Sequence, residues 1–300
     1  MTGPGLVTPA RSLSCIGALA GQNRLRAAVA LVLSLFPGID MLGRGFEQEG
    51  HCVVRGPDLI FGGDIRSFHA PAGRFDGVIG GSPCPDFSRA RRAPPSGDGI
   101  AMLAEFRRVV TEAEPMWWLL ENVPACPTIV LDGYSHQRID LDARDVGLRQ
   151  RRLRHFQFGC RDGAALVLPR AVTRAGMRGE ATCVASEGSK VGRRSWAEFC
   201  ELQGLPADFD LPSFTRGARY RAVGNGVPPA MGAMLARAIM MRSDARVCAC
   251  GCARPVAGKL RFAGASCRQR AKRLRDRAGV GRARSVTADA RSVTVTELGP

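Results

Sequence analysis

A cysteine held between two prolines carries the most reactive group that the sequence offers. The stretch Gly80-Gly81-Ser82-Pro83-Cys84-Pro85-Asp86-Phe87-Ser88 places the Cys84 thiol on a stiff loop at the carboxyl end of a short apolar strand, where open α/β sheets hold their ligands. The thiolate is the nucleophilic form, and Arg89, Arg91 and Arg92 just downstream can stabilise it. A lone thiol is more often an inert apolar side chain, so the flanking pattern is what favours the nucleophile. In Trp117-Trp118-Leu119-Leu120-Glu121-Asn122-Val123-Pro124 an acid follows a wholly apolar run. Desolvation there raises a carboxyl pKa and lets Glu121 donate a proton near neutrality; a solvated or helix-capping glutamate is the ordinary alternative. Gln150-Arg151-Arg152-Leu153-Arg154 leads into another strand, and alternation puts Arg152 and Arg154 on one face with Gln150. Two guanidinium groups on one face suit an oxygen-rich ligand, or form a solvated basic edge.

Two further groups of residues suit binding. Leu33 to Gly43, with Pro37-Gly38-Ile39-Asp40 at its centre, reads as a strand, a tight turn and the start of a helix. Gly38 there lets a ligand approach the backbone beside unpaired helix N–H groups. Asp58 and Gly62-Gly63-Asp64-Ile65 follow at later strand ends, where an acid can hold a ribose hydroxyl or an adenine amino group. Near the other end, Cys248-Ala249-Cys250-Gly251-Cys252 and Cys267 supply clustered thiols suited to tetrahedral zinc, in a segment too small to build its own core. A disordered, phosphate-binding tail is the competing reading of that segment.

The elements that position these groups follow from periodicity. Leu31 to Phe36, His51 to Val54, Gly77 to Ile79 and Trp117 to Leu120 read as short buried strands, with Ile139 to Leu141 and Leu153 to Phe158 further on. A helical stripe of Ile100, Leu103, Phe106 and Val110 follows an N-cap candidate at Asp98, and Pro229 opens a helix to Met241. The pattern is α/β with a mostly parallel sheet. Met1 to Arg26 show no sustained period, and Cys160 to Gly192 read as irregular.

Composition bounds the partners. Lys+Arg 43 against Asp+Glu 27 gives a net charge of +16, which favours a polyanion. The surplus is uneven: Met241 to Pro300 carries +10 of it. Lysine occurs only at 190, 259 and 272, so part of the arginine excess reflects codon composition rather than phosphate chemistry. The 11 cysteines are an odd number without scaffold-like spacing, which fits a reducing cytoplasm better than a secreted disulfide framework. The apolar run Ala27 to Phe36 is too short to span a bilayer and starts too late for an ordinary signal peptide.

Taken in order, the motifs resemble the cytosine-5 DNA methyltransferase family, phage and bacterial members above all, from about Leu31 to Ile239. Leu202-Gln203-Gly204-Leu205-Pro206, within Arg193 to Asp208, and Gly224-Asn225-Gly226-Val227-Pro228-Pro229 match the last two motifs of that family. The resemblance implies a Rossmann-like, S-adenosylmethionine-dependent fold. It implies that Phe36, Gly38, Ile39, Asp58, Asp64, Ile65, Pro83, Asn225 and Val227 bind S-adenosylmethionine. Cys84 corresponds to the nucleophile, Glu121 to the acid on ring nitrogen 3, and Gln150, Arg152 and Arg154 to the Gln-x-Arg-x-Arg motif, in which Arg152 and Arg154 are the expected catalytic residues and Arg154 holds the base oxygen. The expected organisation is an N-terminal arm at 1–27, a catalytic domain at 28–159 completed by 193–241, and a reduced target-recognition segment at 160–192. A basic cysteine module at 246–278, with Cys248, Cys250, Cys252 and Cys267 as zinc ligands, and a flexible tail at 279–300 complete it.

The expected partner is double-stranded DNA, with a cognate restriction enzyme as a further one. The resemblance implies no membrane, a monomer sufficing for the chemistry, and the cytoplasm of a bacterial host. An RNA cytosine-5 methyltransferase and a catalytically silent DNA-binding relative are the rival functions. Three departures from the family pattern stand out: Pro85 in place of a glutamine, Asp40 in place of a glycine, and the short recognition segment, which points to relaxed specificity or to a share delegated to the tail.

Overall fold

The computed structural model describes residues 29–83, 85–87, 94–169, 181–189 and 194–279. Cys84, Arg89, Arg91, Arg92 and the expected N-terminal arm lie outside them, as does the tail from 280. Six strands form one sheet: β1 (Leu31–Leu35), β2 (Cys52–Arg55), β3 (Gly77–Gly81), β4 (Trp117–Asn122), β5 (Gln137–Asp142) and β6 (Leu153–Cys160), in the order β2-β1-β3-β4-β6-β5. The first four pair in parallel, whereas β6 runs antiparallel to both β4 and β5. The strands coincide with the apolar runs to within a few residues. Every residue of β4 is buried, as a strand covered on both faces requires.

Alternation along the strands builds two cores. Val32, Ile79, Leu119, Phe156 and Phe158 point to one face, where α1 (Met41–Gln48) and α5 (Pro229–Met240) cover them with Phe46, Met231 and Leu235. Leu33, Leu35, Val78, Trp118 and Leu120 point to the other, against Phe106 and Val110 of α2 (Asp98–Ala113). Asp98 is not the N-cap of α2. Gly97 takes that place in a left-handed conformation, and Asp98 lies in the first turn, where its charge meets the positive end of the helix dipole. Gly45 of α1 sits so close to α5 that a Cβ there would lie 2.3 Å from the Pro229 carbonyl oxygen.

The remaining helices are α3 (Trp196–Leu202), α4 (Arg216–Asn225) and α6 (Ala265–Gly279). The segment expected to serve only target recognition is anchored in the core at both described ends. Ala164, Leu166 and Leu168 are buried, and the Gln137 side chain brackets Leu166 by accepting from its N–H at 2.8 Å and donating to its carbonyl at 2.9 Å. Its other end, 181–189, forms a 3-10 turn against α4. Cys160 is the last residue of the buried strand β6, and residues 170–180 lie outside the described part. No described helix is long and apolar enough to cross a membrane.

Candidate active site and thiolate cluster

The carboxyl ends of β1, β3 and β4 open onto a cavity of about 770 Å³. That is room enough for a nucleoside-sized ligand. The turn after β1 forms its floor. Phe36, Gly38 and Asp40 all adopt left-handed backbone, at φ 52°, 54° and 54°. Only glycine does this without cost; asparagine and aspartate tolerate it best among the rest. Asp40 offsets its strain by capping α1: its carboxylate accepts from Gly43 N–H at 3.1 Å and from the Ser34 hydroxyl at 2.9 Å, with Arg55 Nε 3.0 Å away. Burial nonetheless pushes its pKa up. A cap at this position explains how the chain accommodates aspartate where a glycine is usual. Asp58 reaches back to the same turn, accepting from Gly38 N–H at 2.8 Å and from Ile60 N–H at 2.9 Å.

All nine residues expected to bind cofactor line this one cavity, although they come from five separate segments of the chain. Glu121 and Arg154 line it as well. Asp64 keeps its carboxylate ionised, held below the usual range by the Arg66 backbone N–H that it caps. Leu59, Ile60, Phe214 and Arg221 are lining residues that sequence reasoning missed. Leu59 and Ile60 were legible as an apolar pair that the structure leaves 74% and 51% exposed at the rim.

Glu121 ends β4 with its side chain buried, and Arg154 Nε lies 3.0 Å from its Oε1. Burial pushes the Glu121 pKa up, and Arg154 and Arg152 oppose the shift without cancelling it. The next residue fixes the cysteine loop: Asn122 Nδ2 donates to the Ser82 carbonyl at 3.2 Å and hydroxyl at 3.0 Å, two residues before Cys84. On the far side of Cys84, Asp86 accepts from Ser96 N–H and Gly99 N–H at 2.9 and 2.8 Å, tying the loop to the start of α2. Both described flanks of Cys84 are thus moored, the Ser82–Pro83 flank in the lining of the cavity and Asp86 at the start of α2. Burial pushes Cys183 up to about 11 and Cys200 up to about 12, which makes those thiols inert near neutral pH.

Arg152, expected as a catalytic residue beside Arg154, does not line the cavity, whereas Arg154 does. It precedes β6, so strand alternation does not govern it, and its side chain is buried. Its guanidinium donates to the carbonyls of Cys183, Gly224 and Gly226 at 3.1, 2.8 and 2.7 Å. Gln150 assists, donating to Leu202 carbonyl and to the Gln203 side chain and accepting from Cys183 N–H at 3.3 Å. The pair clasps the Gly224-Asn225-Gly226 turn, and Asn225 thereby closes one wall of the cavity.

The C-terminal segment gathers the Sγ atoms of Cys248, Cys250, Cys252 and Cys267 within 4.8 Å of one another, all of them buried. Cys248 and Cys250 are 3.5 Å apart and Cys252 and Cys267 4.0 Å apart, sulfur to sulfur. A tetrahedron of thiolates at 2.3 Å from zinc has edges of about 3.8 Å, so the donor set fits that ion. Arg254 donates to Cys267 Sγ at 2.7 Å and to Cys252 Sγ at 3.5 Å. Burial disfavours the Cys252 thiolate, but the Arg254 hydrogen bonds outweigh it and bring its pKa down to about 7.

A cavity at the carboxyl ends of parallel strands, lined by a buried acid and by Ser82 and Pro83 before Cys84, is the place where open α/β sheets hold their ligands. Residues 60–177 match the family model of C-5 cytosine-specific DNA methylases. The chain is 33% identical to the type II methyltransferase M.HgiDI of Herpetosiphon aurantiacus over 97 residues, covering 29% of this chain and 31% of that protein. It is 27% identical to the type II methylase M.HgiDII of the same organism over 176 residues, covering 47% of this chain and 50% of that one. The matches thus span no more than half the length of these relatives. The fold is shared with the Entamoeba histolytica methyltransferase EhMeth, at a TM-score of 0.52, 13% identity and coverage of 71% of this chain and 98% of that one. Over residues 60–177 the chain thus resembles the C-5 cytosine-specific DNA methylases.

Proposed function

We propose that this protein methylates carbon 5 of cytosine in double-stranded DNA, with S-adenosylmethionine as donor. The observation that carries the reading is the pairing of a buried Glu121 carboxyl with Arg154 at the mouth of the cavity, beside the moored flanks of Cys84. The donor, bound by Phe36, Gly38, Asp58, Asp64 and Asn225, supplies an electrophilic methyl group. The ring carbons of cytosine are inaccessible in the base stack, so the target base enters the cavity mouth flipped out of the duplex. In the covalent route the Cys84 thiolate adds to ring carbon 6. Glu121, whose burial favours the protonated form, donates a hydrogen bond or proton to ring nitrogen 3, so that electron density reaches carbon 5 without leaving an unstabilised carbanion. Arg154 holds the base oxygen. After carbon 5 is methylated, loss of its proton expels Cys84.

Zinc at Cys248, Cys250, Cys252 and Cys267 belongs to the same reading as a structural ion, because the site offers four thiols and no open position. A bacterial cytoplasm is the setting it implies, a monomer suffices, and a restriction enzyme is the partner that type II relatives suggest. Labelled S-adenosylmethionine incubated with duplex DNA and, separately, with transfer RNA tests the substrate. Label in the duplex is expected, and label confined to RNA overturns the DNA assignment. A duplex containing 5-fluorocytosine is expected to form a covalent adduct that Cys84→Ser abolishes. Absence of both label and adduct makes the protein a silent DNA-binding relative.

A further inference from the structure

Building on the methyltransferase reading, we propose that the four-cysteine module is a zinc-held second DNA contact, in which α6 and its neighbouring loops grip the phosphate backbone a few base pairs from the flipped cytosine. From Arg246 to Leu274 the chain contains no aspartate or glutamate. Three of its arginines make internal hydrogen bonds, Arg254 to the thiolates, Arg270 to Asp140 at 2.7 Å and Arg246 to the Gly258 carbonyl. Arg246, Lys259, Arg261, Arg268, Lys272 and Arg273 are exposed. That is a one-sign surface, matched to a polyanion.

Its position makes the polyanion a DNA duplex bound at the catalytic face. Asp140 is buried and receives Arg138, His155 and Arg270. It pairs across the sheet with His155, which pairs with Asn122 beside Glu121. At about 4.8 Å between strands, Asp140 lies roughly 10 Å from Asn122, the rise of about three base pairs at 3.4 Å each. The module also covers the open edge of β5, because Gly251 carbonyl accepts from Asp140 N–H at 2.9 Å. α6 is therefore fixed at the end of the sheet where the cavity opens.

The metal supplies what this segment lacks. Apart from its cysteines, its own apolar cluster holds only Ala271, Val256 and Phe262. Without an ion to gather the thiols, so small a cluster does not hold a shape of its own. The short stretch between β6 and α3 leaves little chain for a separate recognition platform, and the module stands where added affinity is useful.

The test uses the intact chain. Metal analysis of the purified protein is expected to find one zinc per chain, and a metal-free preparation overturns the zinc-held module. Binding to a fluorescent duplex is then titrated across salt concentrations for the parent and for Arg268→Gln/Lys272→Gln/Arg273→Gln, whose zinc content and circular dichroism are expected to match the parent. Loss of three phosphate contacts lowers the slope of log K against log salt by about 2.7 and weakens binding about tenfold or more at 0.1 M salt. An unchanged slope overturns the second contact, as does a loss seen with duplex RNA but not with DNA. Methyl transfer to the same duplex is read separately. Transfer with an unchanged slope sinks the contact alone, whereas a lowered slope without transfer sinks the methyltransferase reading alone.

Discussion

Arg154 Nε sits 3.0 Å from Glu121 Oε1, yet Glu121 remains harder to ionise than a free glutamate, because burial outweighs the neighbouring charge. The arginine orients the carboxyl while opposing, without cancelling, the upward push of burial on its pKa.

Glu121→Gln follows from that balance. A carboxyl whose pKa is raised by folding contributes stability that is fully present below its unfolded pKa and lost as pH rises through its folded pKa. Glutamine cannot ionise. The variant is expected to melt above the parent at pH 8, with the difference shrinking toward pH 5, while methyl transfer falls by about 100-fold or more. Thermal melts across pH, together with a labelled-methyl assay, check both. A variant that melts below the parent at pH 8 contradicts the argument.

Arg152 and Arg154 should separate in their effects. Arg152→Met leaves three carbonyls, of Cys183, Gly224 and Gly226, without their charged donor and is expected to cost about 3 kcal/mol or more of stability. Arg154→Ala leaves Glu121 free to stay protonated, so the loss should fall on turnover with a small change in melting temperature. Denaturant titrations beside kinetics distinguish them, and equal loss of stability in both would refute the division of roles.

Asp40 combines a left-handed backbone with a cap. Asp40→Ala loses the cap while keeping a Cβ at φ 54°, at a cost of about 1 kcal/mol. Asp40→Gly keeps the backbone free of strain and should be the milder change. Reversal of that order in urea unfolding would contradict a strained left-handed backbone at position 40.

Helix contact through Gly45 is equally specific. Gly45→Ala drives a Cβ into the Pro229 carbonyl of α5 and is expected to destabilise by about 1–3 kcal/mol. Gly217→Ala in α4, where a Cβ meets nothing within 4 Å, should be neutral or slightly stabilising. Melting temperatures of the two variants provide the comparison.

Local sequence determined the strands, the helix opened by Pro229 and the tight turn after β1. Apolar runs, prolines and glycines act through near neighbours, so β1 and β4 were legible from Leu31 to Leu35 and from Trp117 onward. The tertiary structure decided what no short window contains. Antiparallel pairing of β6 with β4 and β5 depends on segments brought together from across the chain. Arg152 looked like a ligand-holding partner of Arg154 because both stand in one short motif. Its function as a clasp depends on carbonyls up to 74 residues away, and only the folded chain brings them within 2.7 Å. The same holds for the Arg270 to Asp140 contact, 130 residues apart in sequence, which fixes where the basic module sits. A residue type and its spacing specify what a side chain can do; which partner it meets is set by long-range packing, because each guanidinium or carboxylate must satisfy its charge with whatever groups the fold places beside it.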